Sequence, residues 1–427
     1  MENPCVFCLW ILLLTSVLLI QVQGCDEEER RALLRLRDAF NGTTALSSWG
    51  NGKETDCCMW ERVNCDQSNH HVTQLSLGDI RLWSFDGFFV NASLFLPFRE
   101  LQNLSLDGNT IRGFHEVLNL SKLQVLDLSF NWFDEIPSLG LLRSLRILNM
   151  EENNINTWSH FEELTTLKHL ELLNLGYNYL SGKIPGSLGS LTSLKFLSFT
   201  DNHLVNGSLI DGGFCKLRNL RELDLFQNSF DGRIPSCLGN LTSLRALVLE
   251  SNYLTGTLPS TVFSTLNSLE YLSLSFNYFE GYFSFNSFKN NSKLEVFELD
   301  NLHSNLTVDT ENPPWMPQPQ IKIFRLSNCK LNEPAGGNLP SFLSKQRELR
   351  ILNLSHTGVR EIFPSWLLIN NSNMEFLNLA GNFLTGPFTY NNHQTKNEYL
   401  SWLDVSMNQI QGVLPYSIGF FFQLCPI

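Results

Sequence analysis

The groups able to do covalent chemistry are thinly spread along this 427-residue chain. Its histidines are His70, His71, His115, His160, His169, His203, His303, His356 and His393. None stands in an H-E-x-x-H, G-x-S-x-G or phosphate-loop context, the spacings that set two metal ligands on one helix face, raise a nucleophile or cradle a phosphate. The adjacent His70 and His71 read as a turn rather than a metal pair. Carboxylates exceed cations, for a formal net charge of −12, yet nothing singles out two of them as the acid and base of a hydrolase. No catalytic, cofactor-binding or metal-binding residue is assigned, and the chain is expected not to be an enzyme. The acidic balance, with no basic cluster, gives it no general attraction for a nucleic acid backbone.

Cysteine and asparagine carry the remaining chemistry, and both depend on secretion. Residues 1–24 read as a signal peptide: an apolar run from Val6 to Ile20, broken only by Thr15 and Ser16, then small Gly24 before Cys25. An uncleaved anchor is the alternative, because the leading segment has no Lys or Arg. No later stretch approaches the ~20 apolar residues of a membrane helix. In an oxidising compartment Cys25, Cys57, Cys58, Cys65, Cys215, Cys237, Cys329 and Cys425 become disulfide candidates. Asn-X-Ser/Thr acceptors for glycosylation fall at Asn41, Asn91, Asn103, Asn119, Asn206, Asn240, Asn290, Asn305, Asn353 and Asn370.

The element that positions all of these is a repeat. L-x-x-L-x-L-x-x-N starts at Leu101, Leu123, Leu145, Leu170, Leu194, Leu220, Leu244, Leu269, Leu294, Ile321, Leu349, Met374 and Leu400, after a degenerate copy at Val72. The period is that of leucine-rich repeats. Alternation in x-L-x-L-x sends leucines to one side of a short strand and the x residues to the other. One unit cannot bury its apolar side alone, but stacked neighbours can. The asparagine follows where the chain bends, and its amide can satisfy backbone groups of its own and the adjacent coil. The copies at Val72 and Leu294 lose it, while Cys329 and Thr357 occupy its slot; Cys329 is therefore expected to be a small buried residue. Further along, NYLSGKIP, NSFDGRIP, NYLTGTLP and NQIQGVLP predict an extra flanking strand followed by a short helical turn such as PGSLGSLTSL.

These motifs resemble the plant extracellular leucine-rich repeat with its L-x-G-x-I-P signature. CDEEERRALLRLRDAF, SSWG and CCMWERVNC at the start, with IKIFRLSNCKL and FPSWLLINNSNMEFLNLAGNFLTGPF further on, are similar to the cap and mid-ectodomain repeats of plant receptor-like proteins. The fold implied is an α/β solenoid, a curved leucine-rich-repeat superhelix with a parallel concave sheet and a disulfide-bonded N-terminal cap. The expected organisation is signal peptide 1–24, cap 25–66, repeats 67–419 and an atypical tail 420–427. The resemblance also implies bonds Cys25–Cys57 and Cys58–Cys65, although four cysteines allow three pairings. Cys215 and Cys237 sit before successive strands and are expected to bridge adjacent coils, leaving Cys425 unpaired. Trp60 is read as cap core. The stretch 81–98 is a longer first repeat, and proline-rich 301–320 is expected to be a surface excursion.

The functional reading is a ligand-recognition module of a receptor-like protein, in defence or development. It would bind an extracellular peptide or protein on the concave face, lack a kinase, and rely on a receptor kinase adaptor or co-receptor as the family does. Candidate contacts are Glu151, Glu152, Gly176, Tyr177, Asp201, Phe226, Gln227, Glu250 and Phe276, just beyond the repeat leucines. A secreted inhibitor of microbial cell-wall-degrading enzymes is the alternative. Because the family's later repeats, cap and membrane helix do not follow NQIQGVLP, the chain reads as a truncated member whose last coil, from about Leu400, would fray.

Overall fold

The computed structural model describes residues 25–42, 44–50, 56–81, 86–205, 213–317, 320–333, 336–388 and 399–412. The signal peptide, Asn206, Cys425 and the tail lie outside them. The chain divides into two compact units, Met1–Leu170 and Glu171–Ile427.

In the first unit a helix, α1 (Glu27–Ala39), opens the cap. Asp26 caps it, accepting from the amides of Glu28 and Glu29 at 2.7 and 3.3 Å, which satisfies donors a helix start leaves unpaired. Its Leu33 and Leu36 are fully buried, as is Phe40 beyond its end. Glu29, 1% exposed, accepts from the Val72 amide at 3.0 Å and meets His71 Nδ1 at 3.3 Å, so one carboxylate ties the helix to the first repeat strand. Trp49 and Trp60 stack at 5.7 Å and are both buried. Disulfides join Cys25 to Cys57 and Cys58 to Cys65. Strand Val63–Cys65 pairs antiparallel with Val72–Ser76, and from there Asn103–Ser105, Val125–Asp127 and Ile147–Asn149 add in parallel.

The second unit repeats this construction through ten parallel strands, from Leu172–Asn174 to Trp402–Asp404. The repeat leucines are buried in coil after coil, each contributing about 1.5–3 kcal/mol of transfer free energy. Short flanking strands follow the N-x-L-x-G segments: Ser181–Gly182 with His203–Leu204, and Asp231–Gly232 with Tyr253–Gly256 and then Tyr278–Phe279. Ile184-Pro185 and Ile234-Pro235 lead into tight helical turns, Gly186–Ser190 and Ser236–Asn240. Proline suits that entry because a helical first turn needs no amide there. Cys215 is bonded to Cys237 across one coil step, with Cα atoms 5.5 Å apart.

Asparagine holds the coils together. Asn252 donates from Nδ2 to the carbonyls of Leu225, Leu249 and Glu250 at 2.9, 3.2 and 3.1 Å, and its Oδ1 accepts from the Phe230 amide at 3.0 Å. In the first unit Asn131 bonds Leu106, Leu128 and Ser129 from Nδ2 and accepts from the amides of Asn109 and Ile111. The residue just before each asparagine turns left-handed: φ is 53° at Phe130, 50° at Tyr177, 52° at Gln227 and 54° at Phe276. That conformation costs a non-glycine residue about 1–2 kcal/mol, and it recurs because the turn swings the following amide beneath both coils.

Two expectations need correcting. The coil from Leu294 does not wholly lose its asparagine. Asn301, one residue early, still accepts from the Phe279 amide at 3.0 Å, but its Nδ2 turns to the carbonyls of Phe279 and His303. Nor is 301–320 only a surface excursion. Trp315 is 3% exposed and packs on Phe285 and Phe342 at 5.0 and 4.9 Å, since an indole between aromatic rings gains more buried area than one in water. Cys329 is buried, and burial pushes its thiol well up.

Asn252→Ala leaves several buried backbone groups unpaired, at about 1–3 kcal/mol each. The urea-unfolding midpoint should fall by the equivalent of about 3 kcal/mol. Exposed Asn219, which bonds only the Thr192 carbonyl, should change stability by less than about 0.5 kcal/mol as Ala.

Candidate functional site: the strand face of the second unit

Because the leucines point inward, the alternate strand residues make an outer face whose rows follow from the parallel register. The first row runs Tyr271–Val296–Ile323–Ile351–Phe376–Trp402. All six are half-buried. Phe376 and Trp402 stack at 6.0 Å with an interplanar angle of 7°. A sheet face in water ordinarily carries polar residues at such positions.

Two residues on, the next row reads Ser273–Glu298–Arg325–Asn353. With Asp224, Glu250 and Asp300 it forms a polar network. The Tyr271 hydroxyl donates to Glu298 Oε2 at 2.7 Å, and Ser273 Oγ to Glu250 Oε2 at 2.6 Å. Arg325 reaches Glu298 at 3.4 Å and Asp300 at 4.0 Å, with its guanidinium 5.9 Å from the Phe376 ring centre. Asn353 Nδ2 donates to Asp300 Oδ1 at 3.0 Å across two coil steps. Three carboxylates, Glu250, Glu298 and Asp300, therefore share one guanidinium, and Asp224 acts on the network through Tyr271.

Burial acts on these groups in one direction. Desolvation lifts the carboxyls of Asp224, Glu250 and Asp300 above the ordinary carboxylate range. Hydrogen bonds oppose the shift: from the Phe226 amide at Asp224, from Ser273 at Glu250 and from Ser327 at Asp300. Glu298 and Asp300 reinforce it at Glu250. Desolvation and the bond to Glu298 push the Tyr271 phenol up as well. Groups shifted by burial next to named charge partners mark this face as a candidate site.

The opposite margin differs. Its carboxylates are matched across coils: Glu171 with Lys195 and Glu295 with Lys322 at 2.5 Å, Glu375 with Arg350 at 2.7 Å and Glu270 with Arg245 at 3.8 Å. No acidic surplus therefore lies on this margin.

The residues expected to contact ligand fall mostly at the edge of this face. Tyr177, Asp201, Gln227 and Phe276 occupy the left-handed turn after the strand, with Gln227 Nε2 donating to Asp201 Oδ1 at 3.0 Å. Phe226 precedes that turn and is half-buried. Glu250 belongs to the central network. Glu151 and Glu152 take the corresponding positions in the first unit, Glu152 at φ 55°. Gly176 is corrected: it is buried, and a Cβ there would meet Asn174 Oδ1 and Ser198 Oγ at 3.2 and 3.3 Å, so it has no surface to offer. The sequence reading missed Tyr271, Glu298, Asp300, Arg325, Phe376 and Trp402. The signal was present: all but Asp300 flank the second repeat position, where bulky apolar residues run unbroken from Tyr271 to Trp402.

Elsewhere, a 660 Å³ cavity in the first unit is lined by Ser138, Arg143, Glu163 and Lys168 among others. Its Glu163 is already held by Ser138 at 2.6 Å and His160 at 2.9 Å. Among the described residues no group of His, Cys, Asp and Glu is placed to hold a metal. His70 sits at φ 59° in a turn while His71 meets Glu29. Also among the described residues, no helix is long and apolar enough to cross a membrane.

Stacked parallel strands, the asparagine ladder and the cysteine-bonded cap define a leucine-rich-repeat protein. Residues 26–66 match the leucine-rich-repeat N-terminal domain, and 97–282 the leucine-rich repeat region. The chain belongs with the plant receptor-like proteins of that family. It is 36% identical to Receptor-like protein 14 of Arabidopsis thaliana over 96% of this chain and 45% of that relative. With Receptor-like protein 9a of the same plant it shares 39% identity over 97% of this chain and 44% of the relative. It thus spans about half the length of the curated relatives it matches. Among solved structures it is similar to the Arabidopsis receptor kinase HAESA, in complex with the peptide hormone IDA and the co-receptor SERK1: TM-score 0.71 and 27% identity over 90% of this chain and 66% of that one. The ectodomain of the Arabidopsis thaliana receptor kinase GASSHO1/SCHENGEN3, in complex with CASPARIAN STRIP INTEGRITY FACTOR 2, gives 0.70 and 27% over 91% and 48%.

The raised carboxyls set the sign of a pH effect. A carboxyl whose folded pKa exceeds its unfolded value holds more protons when folded, so stability falls as pH rises through that range. Asp224→Asn removes one such group while keeping an acceptor for the Phe226 amide. Its melting temperature should exceed the parent's at pH 7.5, and the gap should close as the pH is lowered towards 4. Thermal melts at both ends check this.

Proposed function

We propose that this chain is the extracellular recognition module of a plant receptor-like protein. It binds a peptide or protein ligand on the strand face and does so without catalysis. Signalling then requires a receptor kinase or co-receptor, in the defence or developmental settings where the family works. The observation that carries this reading is the strand face of the second unit. Half-buried apolar residues and an under-compensated polar network lie side by side there on a surface already rigid through its backbone ladder. Such a face can lose water to a partner without reorganising. The receptor-like relatives support it, as does the similarity to a receptor ectodomain whose complex holds a peptide hormone and a co-receptor. The cap disulfides and the acceptor sequons exposed at Asn91, Asn119, Asn240, Asn290 and Asn305 fit an extracellular or cell-surface location.

The test is capture of peptides from plant apoplastic fluid by the secreted full chain, read by mass spectrometry. The Tyr271→Ala/Phe376→Ala variant should lose specific capture about tenfold or more, as loss of aromatic anchors does. Tyr179→Ala, just before the flanking strand Ser181–Gly182, should keep it. Equal capture by all three proteins would end the reading. Inhibition of a pectin-degrading enzyme that depended on the same strand-face residues would instead favour the secreted-inhibitor alternative.

A further inference from the structure

The two halves of the strand face in the second unit are chemically different, and they are offset along the stack. Surplus negative charge is concentrated on the earlier coils, at Asp224, Glu250, Glu298 and Asp300, with Asp404 the single carboxylate of that row on the last coil. The apolar row is densest on the later ones, at Ile323, Ile351, Phe376 and Trp402. These are independent observations. One concerns half-buried charge left without equal countercharge; the other concerns apolar side chains set where a sheet ordinarily faces water with polar ones. An occupant complementary to both must be amphipathic along its length.

Resting on the receptor reading above, we infer that the ligand is an extended peptide segment, cationic at one end and apolar at the other. It lies across the strands with its Lys or Arg side chains over the early coils and its apolar side chains over the later ones. The strand carrying Asp224 and the strand carrying Trp402 are separated by seven ladder steps, about 34 Å at ~4.8 Å per step. That matches about ten extended residues at ~3.3 Å each.

Arg325 marks the boundary between the halves. It neutralises part of Glu298 and Asp300 and presents its guanidinium to Phe376. Arg325 acts on Glu250 only through space, without an ion-pair contact, and no cation acts on Asp224, on the far side of Tyr271. The incoming cation therefore belongs between them. The groups that face them are Tyr271, Glu298, Asp300 and Arg325, and burial raises both carboxyls, so their cation affinity should fade as the pH drops through the raised carboxylate range.

The experiment uses the secreted full chain and fluorescent synthetic peptides of about ten residues. One carries arginines in its first half and leucines in its second. Another replaces the arginines by uncharged citrulline, and a third replaces the leucines by serine. The arginine–leucine peptide should bind at least about tenfold more tightly than either control, about 1.4 kcal/mol. Asp224→Asn/Glu250→Gln should abolish the advantage over the citrulline peptide while leaving citrulline-peptide binding unchanged. Phe376→Ala should weaken the arginine–leucine and citrulline peptides alike but not the serine one. A cooperative circular dichroism melt for each variant guards against misfolding. Equal affinity for arginine and citrulline peptides, or no binding of any, overturns the inference. It leaves the receptor reading standing if apoplastic peptides are still captured through the strand face. Captured peptides that prove acidic or uniformly neutral would likewise refute the ligand class without touching the receptor reading.

Discussion

The buried asparagine amide is the interaction on which the rest depends. Each coil must turn sharply after its strand, and a turn inside a stack strands backbone carbonyls and amides away from water. One side chain with two donors and an acceptor answers two coils at once, as Asn252 does for its own coil and the preceding one. Leucine burial supplies the driving force, but it is non-directional and would tolerate slippage. The amide is directional and fixes which residue of one coil lies beside which residue of the next.

Fixed register has a chemical consequence. Because strand residues align coil by coil, a residue type repeated at one repeat position becomes a continuous row. Polar and apolar rows then lie about 7 Å apart, two residues along a strand. The network around Arg325 exists only because Glu298, Arg325 and Asn353 share one register position and Asp300 lies one pleat further. The same rigidity keeps Asp224, Glu250 and Asp300 partly out of water, which raises their carboxyls. A more mobile surface would let them swing into solvent.

The deviations from the repeat are instructive for the same reason. Asn301 arrives one residue early; its acceptor and one donor both meet Phe279 of the preceding coil, while another donor bond goes to His303 nearby. The insertion that follows brings Trp315 back against Phe285 and Phe342. Lost ladder bonds and added aromatic packing thus coincide in the same stretch of coils. The cap shows a comparable economy: Glu29 meets the first strand's unpaired amide at Val72 with a carboxylate, where an interior coil would have supplied a neighbouring strand.

The fold was legible in the sequence because its causes are local and repeated. The leucine spacing, the asparagine and the L-x-G-x-I-P turn each act within one coil, and many copies make the pattern unmistakable. The cysteine spacing made Cys215 and Cys237 natural partners, since they differ by one coil step. Placement on the strand face was another matter. The reading placed Tyr177, Asp201, Gln227 and Phe276 on the face, yet the left-handed turn carries them to its edge. It passed over Tyr271, Glu298, Arg325 and Phe376, because a single repeat gives no reason to prefer them. What the sequence determined by itself is the coil, whose bonds and burial depend on residues a few positions apart. What only the tertiary structure decided is which of some twenty-five-residue-distant side chains become neighbours, since that depends on register across coils and on the partial desolvation that stacking imposes.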